Sequence, residues 1–400
     1  MRINRSILYL LLCAVGCSVL HAQGKLQLDE PTDTGYLKID LQIPNSIAGQ
    51  IHEPLRSGSG IPVNAMKISG EPVEVEEMKT RGKSSAFFYR KSFNVQLKDA
   101  YSFKGPGGKK KMKHFYLLAQ AMDTHYFRNH FAFSMMRELG VADFYFQYAE
   151  LSINGHSEGI YLVIERPYDV ALRDQDAPVV YRRLESRRID KEKSGKKVPK
   201  SLLKKSKKAF LSIPDFCHNL TGDALYDSLS SHLDLDDYFS WLAFNYWAMN
   251  GDYTDEVCYY IQPDHRPLRF GIVPWDFDDL LTQAPHEGMD LRNRRLGDAL
   301  IYSSEDLLDR TIAADSVVYG HYLEHFRAIF PKMTDPRYLQ MLFNRIYLEL
   351  APFYANPDNY TISSHDREAT DPESMKRNFG KVYAFLLKRS EEIKAELGLD

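Results

Sequence analysis

Asn245-Tyr246-Trp247-Ala248-Met249-Asn250-Gly251-Asp252 is followed downstream by Ile272-Val273-Pro274-Trp275-Asp276-Phe277-Asp278-Asp279. The first run reads as the end of a helix with a carboxylate just beyond it. The second reads as the end of a buried strand with a carboxylate at its tip. Between them Val257–Ile261 and Leu268–Val273 alternate around Asp264-His265-Arg266-Pro267, the pattern of a β-hairpin. A hairpin brings its two ends together, so Asp252 and Asp276 are expected over one cleft. Metal-assisted phosphoryl transfer needs that layout, with one Asp receiving the acceptor's proton and another holding the metal on the phosphates. The duller alternatives are a locally bonded loop Asp at 252 and an Arg-paired carboxylate at 276.

Upstream, Arg81-Gly82-Lys83-Ser84-Ser85 leads into Lys91-Ser92-Phe93-Asn94-Val95-Gln96-Leu97. A Lys on a strand can reach a nucleotide's inner phosphates from a rigid base; an exposed strand lysine is the plainer reading of Lys91. Asp123 is expected to cap a helix in which Phe127, Phe131, Met135 and Leu139 fall four apart and Gly140 ends the run. Arg128 and Asn129 on that helix either face the cleft or tie back to Asp123. Gln147–Ile153 and Gly159–Glu165 flank Asn154-Gly155, a strong hairpin signal.

These segments, in this order, resemble the spore-coat-protein-H-like (CotH) kinases. The resemblance rests on Arg-Gly-x-Ser-Ser with its following Lys-Ser-aromatic strand, on Asp-x-x-x-x-Arg-Asn at 123–129, on Gly159–Glu165, and on Pro-Trp-Asp at 274–276. It runs from about residue 36 to the C-terminal helix. It implies an α+β, two-lobed protein-kinase-like fold over 36–397, with a β-rich lobe of about 36–165 and a mainly helical lobe of about 166–397. It also implies ATP with Mg²⁺ or Mn²⁺ as cofactors, and a protein Ser or Thr as phosphate acceptor. Asp252 then matches the catalytic Asp, Asp276 the metal ligand, and Lys91 the holder of the α- and β-phosphates. Glu165 falls where the chain would pass the nucleotide, and with Glu150 is a candidate partner for Lys91. Cys258 stands about where many members of the family carry an Asn suited to a second metal. The alternative function is therefore a catalytically degenerate, kinase-like surface binding or adhesion module.

Other features bound the reading. A hydrophobic fraction of 44% is enough for a substantial core, and a net charge of −3 gives no bulk attraction to nucleic acid. Arg2 and Arg5, the apolar run Ile7–Leu12 and His21-Ala22-Gln23 read as a secretory signal peptide cleaved after Ala22, over residues 1–22. An exported protein of the periplasm, cell surface or surroundings is therefore expected. Ala14-Val15-Gly16-Cys17 also resembles a lipoprotein box, which would give a lipid anchor at Cys17. The run is shorter than the ~20 residues that a membrane span needs. Cys217 and Cys258 then remain, as a pair or as buried free thiols.

Lys-Gly-Pro-Gly-Gly-Lys-Lys-Lys at 104–111 is read as a hairpin tip rather than a phosphate loop, because an apolar strand follows it and not a helix. Residues 187–208 hold eleven Lys or Arg against Asp190 and Glu192. This basic insert is read as a solvated loop or helix, with an acidic partner's binding surface as the functional alternative. From about Ser212 the chain reads as mostly helical. Leu235–Met249 is expected to be amphipathic, and further helices are expected at Ser316–Phe330, Pro336–Tyr354 and Asp371–Leu397. No His–Cys spacing suggests zinc, and no Gly-x-Ser-x-Gly elbow suggests a hydrolase.

Overall fold

The alternation of Leu37, Ile39 and Leu41 with Lys38, Asp40 and Gln42 makes a strand with one buried face. In the computed structural model that strand joins a large sheet. Residues 25–30, 35–82, 84–105, 108–123, 125–185, 188–195, 198–282, 299–303, 305–359 and 371–399 are described. The leader, Lys83, and Arg187, Lys196 and Lys197 of the basic insert lie outside them. The sheet comprises β1 (Leu37–Gln42), β2 (Ala65–Ile68), β3 (Glu71–Val73), β4 (Val75–Arg81), β5 (Ser92–Gly105), β6 (Gly108–Leu118), β7 (Phe146–Ile153) and β8 (His156–Ile164). Its order is β3-β2-β1-β7-β8-β6-β5-β4, with β1 parallel to β7 and its other strand pairs antiparallel.

Both faces of this sheet are covered, which explains the continuous apolar run in β8. Ile160, Leu162 and Ile164 face one core, and Tyr161 and Val163 face the other. The β7–β8 turn is the expected Asn-Gly hairpin, with Asn154 and Gly155 at φ of 50° and 87°. Asn154 also latches β1, accepting from the Ile43 N–H at 2.9 Å and donating to the Ile43 carbonyl at 3.0 Å. Within the Lys-Gly-rich segment, β5 and β6 pair antiparallel as far as Gly105 and Gly108, and Pro106 and Gly107 lie outside the described residues. Helix α1 (Arg128–Leu139) precedes β7 and ends at Gly140, whose φ of 82° closes the helix in the left-handed region.

The second half is less purely helical than the sequence suggests. β9 (Val179–Glu185), β10 (Arg188–Ser194), β11 (Val257–Ile261) and β12 (Phe270–Pro274) make a four-stranded sheet of order β10-β9-β11-β12. The start of the basic insert is thus an edge strand, which a purely helical or looped reading missed. Its remainder opens α2 (Lys200–Asn219), where Lys204, Lys205, Lys207 and Lys208 are exposed and Ser206 and Phe210 are buried. α3 (Gly222–His232) and α4 (Leu235–Trp247) follow.

Helix α4 is not amphipathic as expected: every residue from Tyr238 to Trp247 is buried. Its surroundings explain this, because it packs against β12 and against α6 (Ser316–Met333) and α8 (Pro372–Leu397). β11 and β12 are likewise buried throughout rather than on alternate residues. α5 (Leu307–Ala314) and α7 (Pro336–Tyr354) complete the helical layer. α8 begins with an Asp371–Ser374 capping box.

Helix α8 also finishes the end of α4. The Arg389 guanidinium donates to the carbonyls of Tyr246 at 2.7 Å and Trp247 at 2.9 Å. These are carbonyls of the last turn of α4, and that of Tyr246 also accepts from the Met249 N–H at 3.4 Å. The Trp247 indole N–H donates to Ser390 Oγ at 3.0 Å.

The architecture is therefore α+β, a large sheet and a small one with helices packed on them. Cys217 and Cys258 are both free thiols. No helix among the described residues is long and apolar enough to cross a membrane.

Candidate active site

The loop after α4 is built by its asparagines. Asn250 donates from its side chain to Asn245 Oδ1 at 3.0 Å, and Asn250 Oδ1 accepts from the Asp252 N–H at 3.3 Å. The Gly251 N–H donates to the Asp279 carbonyl at 2.9 Å, so this loop and the downstream Asp run are bonded directly. A left-handed turn at Met249, with φ of 51°, leads out of the helix.

The loop from Asp252 to Glu256 is braced from behind by Arg183 on β9. This guanidinium is buried, donates to the Thr254 carbonyl at 2.7 Å and pairs with Asp306 at 3.2 Å. The Tyr238 and Tyr259 hydroxyls accept from it at 2.9 and 3.0 Å.

The β11–β12 hairpin then does what its sequence implied. Val257 pairs with Pro274, and the Trp275 N–H donates to the Glu256 carbonyl at 2.8 Å. Asp276 follows at φ of 48°, in the left-handed region that an Asp tolerates better than most side chains. Helix α1 holds the chain there. Asn129 Oδ1 accepts from the Phe277 N–H at 3.0 Å, and the Arg128 guanidinium donates to the Asp278 carbonyl at 2.7 Å. Asp123 accepts from the Arg128 N–H at 2.6 Å. The motif thus ties back to Asp123 and grips the backbone beside Asp276, and neither Arg128 nor Asn129 is among the cleft-lining residues.

Asp252 and Asp276 line the same cleft, of about 580 Å³. Asp255, Glu256, Asp278 and Asp279 share its acidic side. Lys79 and Arg81 at the end of β4, and Arg182 on β9, are its cationic residues. The Arg81 guanidinium lies 4.2 Å from the Tyr116 ring centre and 5.3 Å from that of Trp275. Arg182 pairs with Glu256 at 2.6 Å and Asp255 at 3.8 Å.

Burial pushes the Asp276 carboxyl above its ordinary range, Asp255 adds to that, and Arg81 and Arg182 pull it down. Burial drives Glu256 and Asp278 well up, and in each the charge of Asp276 is the next cause. The acidic groups therefore act as one crowded anionic centre.

That centre offers only carboxylate oxygens, the donors that Mg²⁺ and Mn²⁺ prefer. Among the described residues no three His, Cys, Asp or Glu side chains already converge tightly enough to hold a metal. Mg²⁺ in nucleotide sites takes one or two carboxylates, with phosphates and water completing its shell. The residues present fit that arrangement, with Asp276 foremost.

Two expected site residues are placed elsewhere. The Lys91 ammonium is buried and donates to the Phe88 carbonyl and, at 3.4 Å, to that of His52. Lys91 is not among the cleft-lining residues, although Phe88 is. Glu165 is 1% exposed, accepts from the Tyr145 N–H at 2.7 Å, and pairs with Arg173 and with Lys110 at 3.4 Å. It too is absent from the cleft lining. Arg81 and Arg182 were given no role by sequence reasoning. Arg81 opens the Arg-Gly-x-Ser-Ser run and had a signal to offer; Arg182 had none.

The CotH kinase protein family model matches residues 78–391. The chain belongs to the CotH kinase family. The matched segment contains Arg81, Lys91, Glu165, Asp252 and Asp276. The chain is also similar to the inner spore coat protein H of Bacillus subtilis (strain 168), at 22% identity over 349 residues, covering 84% of this chain and 90% of that protein. The arrangement around Arg81, Asp252 and Asp276 is thus set within the CotH kinase segment.

Proposed function

We propose that this CotH-family chain is an exported, metal-dependent protein kinase that transfers the γ-phosphoryl group of ATP to a Ser or Thr hydroxyl of a protein. One observation carries the reading: Asp252 and Asp276 line a single cleft that Lys79 and Arg81 also line. A nucleoside polyphosphate with a divalent cation is the ligand that would neutralise both kinds of charge at once. At about 580 Å³ the cleft also lies in the range of small-ligand sites. On this reading the large sheet is the smaller kinase-like lobe, and the helices with the second sheet form the larger one.

The roles follow from position. Asp252 sits on a loop held by Asn250 and open to the cleft, placed to accept the proton of the acceptor hydroxyl. As that oxygen bonds to the γ-phosphorus, the bond to the β–γ bridging oxygen breaks and ADP leaves. Asp276 would hold Mg²⁺ or Mn²⁺, which when bound supplies neutralising charge to the phosphate oxygens. Asn129 and Arg128 keep the backbone of 277 and 278 fixed, so that Asp276 does not reorganise during transfer. Lys91 supports the cleft wall through the Phe88 carbonyl. Export rests on the signal-like segment at 1–22.

The test is phosphate incorporation from γ-labelled ATP by the mature protein with Mg²⁺ or Mn²⁺. Incorporation lost in Asp252→Ala and Asp276→Ala supports the roles; incorporation unchanged in both overturns them. Cys258 among the cleft-lining residues favours one second reading, the binding or adhesion module on a degenerate kinase scaffold. That reading prevails if calorimetry finds no ATP binding with either metal.

A further inference from the structure

We infer that Arg81, rather than Lys91, grips the phosphate groups of the nucleotide. The inference rests on the kinase reading above and concerns which residue performs its anion binding.

A phosphate-gripping residue must reach the cleft, carry its charge there, and be held in orientation. Lys91 fails the first two, since its ammonium is turned to the carbonyls of Phe88 and His52 and it does not line the cleft. Arg81 meets all three. β4 ends on it, with Arg81 paired to Ser92 on β5, so its backbone is part of the sheet. Its side chain lines the cleft. Its guanidinium lies over Tyr116 and beside Trp275, whose rings pack edge to face at 5.4 Å. Stacking orients the plane of the guanidinium, and the Asp276 carboxyl, which it pulls down, is among its charged neighbours. That planar fork matches phosphate oxygens two at a time, which a lysine ammonium does not.

Trp275 immediately precedes Asp276, so the same indole that orients the cation is joined to the carboxylate proposed to hold the metal. A phosphate chain between Arg81 and Asp276 would meet the guanidinium on one side and a carboxylate-bound cation on the other. A neighbouring turn extends this wall. Ser57 and Gly58 line the cleft, and Gly58 has a φ of 84° with nothing within 4 Å of where a Cβ would sit. The turn is tied to the residue before Arg81: the Gly58 N–H donates to the Thr80 carbonyl at 2.8 Å, and the Ser59 N–H to Thr80 Oγ1 at 3.0 Å. Lys79, half-exposed and paired with Glu77 at 2.6 Å, adds a second cation.

Calorimetric titration of the mature protein with MgATP and with magnesium tripolyphosphate tests this, using wild type, Arg81→Lys and Arg81→Gln, with melting temperatures as a folding control. Wild type is expected to bind both probes. Arg81→Lys, which keeps the charge but not the fork, is expected to weaken both by about tenfold, and Arg81→Gln by more. If Arg81→Gln does not fold, Arg81→Lys decides. Unchanged affinity for MgATP in folded Arg81 variants overturns the inference and leaves the nucleotide reading standing. Loss of MgATP affinity with tripolyphosphate unaffected also overturns it, placing Arg81 against the base or ribose. Failure of wild type to bind MgATP or MnATP defeats the kinase reading itself, and the inference with it.

Discussion

Asn129 and Phe277, 148 positions apart, are joined by one hydrogen bond of 3.0 Å from the Phe277 N–H to Asn129 Oδ1. Phe277 is buried, and the residue before it, Asp276, holds a left-handed backbone. The bond both satisfies a buried donor and fixes the direction in which Asp276 leaves β12. A backbone conformation of this kind persists only where its surroundings over-determine it.

Asn129→Ala removes that acceptor. The orphaned N–H should cost about 1–3 kcal/mol of stability, read from the urea midpoint. Phosphate incorporation should fall further than the stability loss explains, because Asp276 is no longer aimed. Equal losses in Asn129→Ala and in a remote variant of matched stability would refute the positioning role.

Asp252→Asn and Asp276→Asn should separate chemistry from metal binding. The first should lower the transfer rate by about 10²–10⁴-fold while MgATP still binds. The second should abolish the metal-dependent part of nucleotide binding. In thermal melts, Mg²⁺ or Mn²⁺ alone should shift wild type little. Metal with ATP should shift it upward, and that shift should vanish in Asp276→Asn.

Arg183 is buried with Asp306 beneath the Asp252–Glu256 loop. Arg183→Ala leaves a buried carboxylate without its cation, so a loss of about 3–5 kcal/mol is expected in chemical unfolding. Removing both charges in Arg183→Met/Asp306→Leu should restore part of that stability. It should not restore activity, because the Thr254 carbonyl has still lost its donor.

Stability should also fall as pH rises, through Asp237. Burial, with Asp234 and Asp236 adding, pushes its carboxyl up to about 7 against the pull of Arg269. The folded state therefore keeps a proton that the unfolded chain, near pH 4, has already released. This contribution is fully present below about pH 4 and is lost as pH climbs to about 7. Asp237→Asn should flatten that interval, by about 1–3 kcal/mol in urea midpoints compared between pH 4.5 and 8. An unchanged slope would refute the assignment.

The site was legible where local chemistry decides geometry. Asn154-Gly155 required its turn, and the hairpin around 264–267 required Asp252 and Asp276 to approach one another. The α+β class followed from strand alternation early in the chain and helical spacing late. Burial pattern was legible less often, because Tyr238–Trp247 is apolar on the faces that its neighbours, not its own period, cover. Lys91 lies just before β5 begins at Ser92, where strand alternation says nothing of its direction. Arg182 enters the cleft because β9 pairs with β11, placing it opposite Cys258 across 76 residues of chain. No local pattern carries such a pairing.

The hold of α8 on α4 has a consequence in time. The Arg389 guanidinium that closes the Tyr246 carbonyl is 143 residues further along the chain. Synthesis runs from the N-terminus, so the loop bearing Asp252 exists long before the helix that caps its root. A chain still being made, or one cut short ahead of Arg389, carries the described cleft residues yet lacks the Arg389 contacts at the end of α4. A truncation ending before Pro372 should accordingly show weaker nucleotide binding than the full chain, although Arg81, Asp252 and Asp276 are all retained.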